Sequence, residues 1–279
     1  MLSVWIQAFR LRTLPLSLAC IGMGSFLAAA IYKFNLKVFI FSSLTTLFLQ
    51  ILSNLANDYG DSIHGADSID RKGPSRAIQS GKITKSAMKK AIMILAILSL
   101  FSGLMLIYFS THNTVQFLVF FVLGVLAILA AILYTMGDKP YGYEGLGDLS
   151  VFLFFGWVGA FGTFYLHTQI LDWSILLPAS SCSFFAVAVL NINNIRDVES
   201  DVRAGKRSIP VRIGRDHAIK YHWFLLLSGV VCATLYLLLN FKTGYQFLYL
   251  LILPLLFLNA KAVYTKKEPK DKKPKPILS

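Results

Sequence analysis

The stretch K-V-F-I-F-S-S-L-T-T-L-F-L-Q-I-L-S-N-L-A-N-D-Y-G-D (Lys37–Asp61) decides the fold. It opens as an apolar run of the roughly 20 residues that cross a bilayer as helix, and it closes on carboxamides and carboxylates. At about 100° per residue, Gln50, Asn54, Asn57, Asp58 and Asp61 fall within roughly a third of the helix circumference. Such groups are costly on a membrane helix and mark substrate or ion sites. A second stretch, N-I-N-N-I-R-D-V-E-S-D (Asn191–Asp201), repeats the pattern, with Asn191, Asn194, Asp197 and Asp201 on one face. Both stretches begin N-x-x-N, the second copy 137 residues after the first. They read as two facing halves of one site.

The rest of the chain fits that reading. Of its 279 residues 56% are hydrophobic and only 15% charged, at a mean hydropathy of +0.62, and the apolar residues run in blocks rather than stripes. The expected fold is all-α: one polytopic transmembrane helical bundle over 1–279, ending in a basic tail at 265–279. Eight spans are predicted, at 14–32, 37–56, 87–108, 115–135, 147–167, 174–194, 219–239 and 245–264. Residues 1–13 read as an interfacial helix. The acidic motifs are expected to run into long loops at 58–86 and 195–218. The N-x-x-N echo, with four helices on each side of it, suggests a duplicated four-helix unit.

A net charge of +13 invites a nucleic-acid reading, but its distribution excludes one. With the N-terminus inside, all 27 Lys and Arg except Lys33, Lys37 and Lys242 fall on the inner side. That is the positive-inside bias of a helical membrane protein. It predicts a cytoplasmic (inner) membrane location with both termini, and both acidic motifs, on the cytoplasmic side. Cys20, Cys182 and Cys232 lie in apolar spans without metal-ligand spacing and read as small hydrophobes. The five histidines likewise lack such spacing.

Asp58, Asp61 and Asp67 lie within ten residues, and Asp197 with Asp201 are one turn apart. Two carboxylates about 5 Å apart repel by roughly 3 kcal/mol at an effective dielectric near 20. The expectation is that opposing pairs converge and either take up protons or chelate a hard cation. Oxygen ligands alone favour magnesium or calcium over zinc, and magnesium completes its shell with water and phosphate. R-K-G-P-S-R (Arg71–Arg76) and G-K-R (Gly205–Arg207) follow the two motifs and supply donors for diphosphate oxygens. A metal, a diphosphate and a site open to hydrocarbon together imply a lipid diphosphate.

At these motifs the sequence resembles the UbiA superfamily of intramembrane aromatic prenyltransferases, and is most similar to its MenA branch, which prenylates 1,4-dihydroxy-2-naphthoate. The resemblance runs through A-F-R-L-R-T-L-P-L-S (Ala8–Ser17), the two acidic motifs, and L-Y-T-M-G-D-K-P-Y-G-Y-E-G-L-G-D (Leu133–Asp148). It implies a bundle around a central cavity open to the cytoplasmic side and to lipid. Asp58, Asp61, Asp197 and Asp201 are implied as catalytic residues and as ligands of Mg2+. Asn54, Asn57, Asn191 and Asn194 would contact substrate, with Arg71, Arg76 and Lys206 as a diphosphate clamp. Tyr134 and Lys139 match a Tyr and Lys near the reacting groups, Lys139 facing either the acceptor's carboxylate or phosphate.

There are two departures. Gly65 stands where the superfamily's first motif ends in an acid, as in the MenA branch, which leaves Asp67 without a clear part. Members usually carry a ninth span after the equivalent of Lys273–Ser279, so the chain is either cut before its last helix or complete without it.

The implied partners are membrane lipid, a polyprenyl diphosphate and 1,4-dihydroxy-2-naphthoate. The allylic cation would attack the naphthoate ring, with loss of carbon dioxide and diphosphate, giving demethylmenaquinone. Phe154, Phe155, Trp157 and Phe161 are candidates to line the prenyl tunnel. Other acceptors, such as 4-hydroxybenzoate, homogentisate or a haem-like ring, keep the same chemistry. A cation-coupled transporter would want mid-span acids and broken helices; here the acids lie at the helix ends.

Overall fold

The computed structural model describes residues 1–64 and 76–265. A short helix α1 (Leu2–Phe9) and a tight turn (Leu11–Thr13) lead into α2 (Leu14–Ala29). Then follow α3 (Leu36–Ile63), α4 (Lys85–Ser110), α5 (Thr114–Leu133), α6 (Gly147–Thr168) and α7 (Trp173–Arg203). The short α8 (Ile209–Ile213) precedes α9 (Arg215–Leu239) and α10 (Gly244–Thr265). Among the described residues eight helices are long and apolar enough to cross a membrane, and they correspond to the eight predicted spans.

The helix starts follow from their sequences. Asn35, Thr84 and Asn113 cap α3, α4 and α5, each side-chain oxygen accepting from a first-turn backbone N–H. The ends differ from expectation where it matters most. α3 continues to Ile63 and α7 to Arg203, so both acidic motifs are the last turns of helices and not loops. A 28-residue helix such as α3 is about 42 Å long, against a hydrocarbon core of about 30 Å. The excess length carries the charged turns past the apolar layer without breaking a backbone hydrogen bond.

Burial ranks the helices. Half of the apolar window of α7 is buried and none of that of α5, so α7 is central and α5 peripheral. Close approach relies on small residues, as is usual between membrane helices. A Cβ on Gly156 of α6 would lie 2.2 Å from the Ala179 carbonyl oxygen of α7, so only glycine permits that contact. Between Phe152 and Phe161, α6 winds as a π-helix, a wide turn common at functional sites. It directs Phe154, Phe155, Val158 and Gly159 to a central cavity. Of the four aromatics proposed for a tunnel, Phe154 and Phe155 line it; Trp157 is 41% exposed and bonds Ser180, and Phe161 stacks on Trp173.

Candidate active site

The cavity holds about 1240 Å³ and is walled along α3 from Ser42 to Asp61, about 28 Å of helix at 1.5 Å per residue. Its lining changes character along that length. Leu106, Ile107, Phe120, Phe121 and Leu166 line it far from the acidic motifs, whereas Asp58, Asp61, Arg76, Asp197 and Lys206 gather where the motifs end. The tunnel is therefore apolar for most of its length and charged at one mouth.

On the α3 wall, Asn57, Asp58 and Asp61 face the cavity while Gly60 faces α5. A Cβ on Gly60 would sit 2.2 Å from the Thr135 carbonyl oxygen. This close approach lets Thr135 Oγ1 donate to Ala56 O at 3.0 Å and to Asn57 Oδ1 at 3.1 Å. Asn54 Nδ2 donates to Phe9 O at 2.9 Å and to Thr13 Oγ1 at 3.1 Å, so this amide fastens the N-terminal segment to α3.

The carboxylates are held by cations. Arg10 donates to Asp58 Oδ1. Arg76 lies between the two acids: its Nε is 3.6 Å from Asp58 Oδ1, and its Nη1 pairs with Asp61 and donates to Asn57 O at 2.9 Å. Tyr143 donates its hydroxyl to Asp61 Oδ1 at 2.7 Å. Burial pushes the Tyr143 phenol far above its ordinary value, and the charge of Asp61 adds to this. It therefore remains a donor throughout the physiological range. On the α7 wall, Arg196 grips Asp197 with two hydrogen bonds of 2.8 Å, Nε to Oδ1 and Nη2 to Oδ2. Asp201 is buried behind the wall, accepting from Ser208 Oγ at 3.2 Å with Lys206 Nζ 3.6 Å away.

One loop ties the walls together. Tyr143 reaches Asp61 through its hydroxyl, while its carbonyl accepts from Arg207 N at 2.7 Å and its ring lies 5.9 Å from Lys206 Nζ. Arg212 donates to Glu144 O. Tyr134, half-buried beneath this loop, lines the cavity and packs edge-on against Tyr141 with centroids 5.4 Å apart.

The sequence model of the UbiA prenyltransferase family matches residues 17–277. The chain belongs to this family. An Escherichia coli relative, 1,4-dihydroxy-2-naphthoate octaprenyltransferase, is 44% identical over 270 residues, 97% of this chain and 88% of the relative. Among solved structures, a UbiA homolog from Aeropyrum pernix K1 superposes with a TM-score of 0.70 at 17% identity, covering 91% of this chain and 90% of that one. A UbiA homolog from Archaeoglobus fulgidus bound to DMAPP and Mg2+ gives 0.63 at 16%, covering 98% and 91%. At those identities the structural likeness is one of fold.

The UbiA bundle brings together most of the residues singled out from sequence. Asn54, Asn57, Asp58, Asp61, Arg76, Tyr134, Asn194, Asp197 and Lys206 all line the cavity. Asp201 stands just behind. Two do not reach it. Asn191 donates to Ala218 O of α9 at 3.0 Å; it lies about 120° round the helix from Asp197, and Asn193 takes its place on the wall. Lys139 is exposed at the apex of a loop that doubles back through Tyr141 N to Leu133 O and Gly142 N to Tyr134 O. Asp67 and Arg71 lie outside the described residues. Arg10, Arg196, Asn193 and Tyr143 were missed, although all four stand inside the motifs quoted.

The carboxylates of the nest are each paired with Arg or Lys. Among the described residues no three acidic, cysteine or histidine side chains surround one point suited to a metal ion. The repulsion of about 3 kcal/mol is met by guanidinium and ammonium groups; one such charge at 4 Å contributes about 4 kcal/mol at the same dielectric. The all-oxygen donor set of the two walls still suits magnesium ions that each take one or two carboxylates and find remaining ligands in water and phosphate.

Proposed function

We propose that the protein transfers a polyprenyl group from an allylic polyprenyl diphosphate to 1,4-dihydroxy-2-naphthoate, releasing diphosphate and carbon dioxide. The observation that carries this reading is the cavity: a long apolar tunnel whose charged mouth presents Arg10, Arg12, Arg76, Lys82, Arg196 and Lys206 against Asp58, Asp61 and Asp197. Six cations against three acids, counted over the described lining, make that mouth an anion site. An amphiphile with an apolar tail and an anionic head matches both ends. Membership of the UbiA family and the name of the E. coli relative support the acceptor.

Asp58 and Asp61 on one wall and Asp197 on the other, backed by Asp201, would hold Mg2+; when bound, the ion offsets charge building on the departing diphosphate. Arg76 and Lys206 aim donors at the same charge in a site shielded from bulk water. Tyr143 keeps Asp61 oriented through its hydroxyl. The bond between the prenyl C1 and the diphosphate oxygen breaks, and the allylic cation forms a carbon–carbon bond at the ring carbon that bears the carboxyl group. Carbon dioxide leaves from the carboxylate, its bonding electrons restoring the aromatic ring, giving demethylmenaquinol, the reduced form of demethylmenaquinone. Phe154 and Phe155 on the wall exclude water and offer ring faces to the cation. The bundle is read as lying in the cytoplasmic membrane, where the eight spans among the described residues and the Lys and Arg bias place the acidic motifs on the inner side.

The test incubates membranes containing the protein with 1,4-dihydroxy-2-naphthoate, octaprenyl diphosphate and magnesium, followed by mass spectrometry of extracted lipid. The expected result is a prenylated naphthoquinone, reduced at least ~100-fold in Asp61→Asn and Asp197→Asn; removal of an interaction worth about 2.7 kcal/mol costs that much. Product from 4-hydroxybenzoate with none from the naphthoate would reassign the acceptor. Undiminished turnover in both variants would remove the acids from the chemistry.

A further inference from the structure

Arg10 occupies a backbone conformation that an arginine rarely adopts. Its φ is +51° and ψ +54°, in the left-handed region, which costs a residue with a Cβ roughly 1–2 kcal/mol. Such a residue persists only where its surroundings hold it, and these outliers gather at functional sites. The surroundings here are explicit. Asn54 donates to Phe9 O and to Thr13 Oγ1 on either side of the turn. Thr13 Oγ1 in turn donates to Arg10 O at 2.9 Å, and Thr13 N to the same oxygen at 2.8 Å. Arg10 N donates to Gln7 O at 3.2 Å. The kink breaks what would otherwise be one continuous helix from Leu2 and turns the guanidinium onto Asp58 at the charged mouth.

Neutralising Asp58 does not by itself require this. Arg76, 8% exposed, already lies 3.6 Å from the same carboxylate oxygen. The Arg10 side chain is 26% exposed and lines the cavity, so it has room to turn. A guanidinium offers five donors in a rigid fork that matches phosphate oxygens two at a time. The strained turn, its pins and the second cation on one acid all fit a group poised for an incoming anion.

We propose that Arg10 is a substrate-binding residue, donating to the diphosphate of the prenyl donor, and that Asp58 is its partner when no diphosphate is present. The inference rests on the prenyl-transfer reading above and adds a ligand from the N-terminal segment to it. It also assigns Asn54 a role: this amide positions Arg10 by holding its turn.

The backbone supplies a discriminating variant. Glycine meets no penalty at positive φ, so Arg10→Gly removes the guanidinium while relieving the turn. Purified protein in lipid nanodiscs is titrated with inorganic diphosphate, first without metal and then with magnesium, by calorimetry. Steady-state assays give KM separately for the prenyl diphosphate and for the aromatic acceptor. For Arg10→Gly the expected results are at least ~10-fold weaker inorganic diphosphate binding without metal and at least ~10-fold higher KM for the donor. The acceptor KM stays within about twofold and the melting temperature does not fall. Tenfold corresponds to about 1.4 kcal/mol, the lower range for a hydrogen bond to a charged group. Arg10→Lys, which keeps the charge and loses the fork, should fall between the two.

Inorganic diphosphate affinity within twofold of wild type in Arg10→Gly overturns the proposal. So does a fall in melting temperature with both KM values rising together, the mark of a structural staple. Should Arg10→Gly not accumulate, the same titration on Arg10→Lys decides: affinity equal to wild type rejects the fork. Wild-type protein that binds inorganic diphosphate through Arg10 but transfers no prenyl group would sink the functional reading and leave Arg10 as an anion ligand.

Discussion

Replacing Arg76 by Gln should destabilise the protein in a way that magnesium partly repairs. The Arg76 guanidinium sits 3.6 Å from Asp58, pairs with Asp61 and bonds Asn57 O, and all three side chains are at most 8% exposed. Glutamine keeps hydrogen-bonding capacity but removes the charge. Breaking a buried pair by deleting one partner costs roughly 3–5 kcal/mol, because the other charge is left uncompensated. Arg10 still serves Asp58, so the lower half of that range is expected, chiefly from Asp61. At about 2–4 °C per kcal/mol for a chain of a couple of hundred residues, the melting temperature should drop by about 10 °C in detergent with a chelator present. If the acids are a cation site, magnesium at ~100 times its dissociation constant returns about 2.7 kcal/mol. The variant should thus recover much of its loss on adding magnesium, and more than wild type gains. Thermal unfolding with chelator, magnesium and a matched concentration of potassium measures all three. A drop below about 2 °C, or equal recovery with potassium, would refute the claim that Arg76 is the counter-ion of a divalent-cation site.

Two further variants separate the site from its surroundings. Tyr143→Phe removes only the hydroxyl that donates to Asp61 at 2.7 Å; a bond to a charged group contributes about 1.5–3 kcal/mol. Turnover should therefore fall roughly 10-fold or more at unchanged acceptor KM, and full activity in a naphthoate assay would show that Asp61 needs no such support. Lys139→Gln, at an exposed loop apex away from the cavity wall, should leave kcat/KM within about twofold, since surface changes away from special contacts shift energies by about 0.5 kcal/mol or less. A large loss there would mean that the Leu133–Asp148 loop closes over substrate.

Much of this architecture was legible in the sequence because membrane solvent imposes it. Eight apolar blocks could only be spans, and amides with acids at the ends of two of them could only be functional or very costly. The α3 face was read correctly, since Gln50, Asn54, Asn57, Asp58 and Asp61 all line the cavity. The α7 face was read one polar residue out of rotation. Asn191 and Asn193 are both amides where α7 passes from its apolar span to its charged end, and nothing local says which one meets α9. Contacts of long sequence separation were the hidden part. Arg10 with Asp58 and Tyr143 with Asp61 span 48 and 82 residues, and neither residue differs in type from ordinary interfacial side chains. Asn54 was legible as a polar cavity residue but not as a backbone pin, because that role depends on a left-handed turn at Arg10 with no glycine to announce it.

The sign of the mouth explains why an acidic motif and a basic site are compatible. Read alone, Asp58, Asp61 and Asp197 form a cation trap, and the sequence offered only protonation or metal to relieve them. The folded chain brings six cations to the same lining, so the described mouth is positive before any metal enters. A free diphosphate head is then drawn in by net charge, with long-range steering that weakens as salt rises. Once it arrives, its oxygens can take over guanidinium donors that had been spent on carboxylates, and those carboxylates become available to a divalent ion. Donor and ion are therefore expected to bind with positive coupling, each releasing partners that the other needs. By linkage that coupling must be reciprocal: magnesium should tighten inorganic diphosphate by the same factor that inorganic diphosphate tightens magnesium. Titrations that show no coupling in either direction would show that the arginines and the ion do not share the acids.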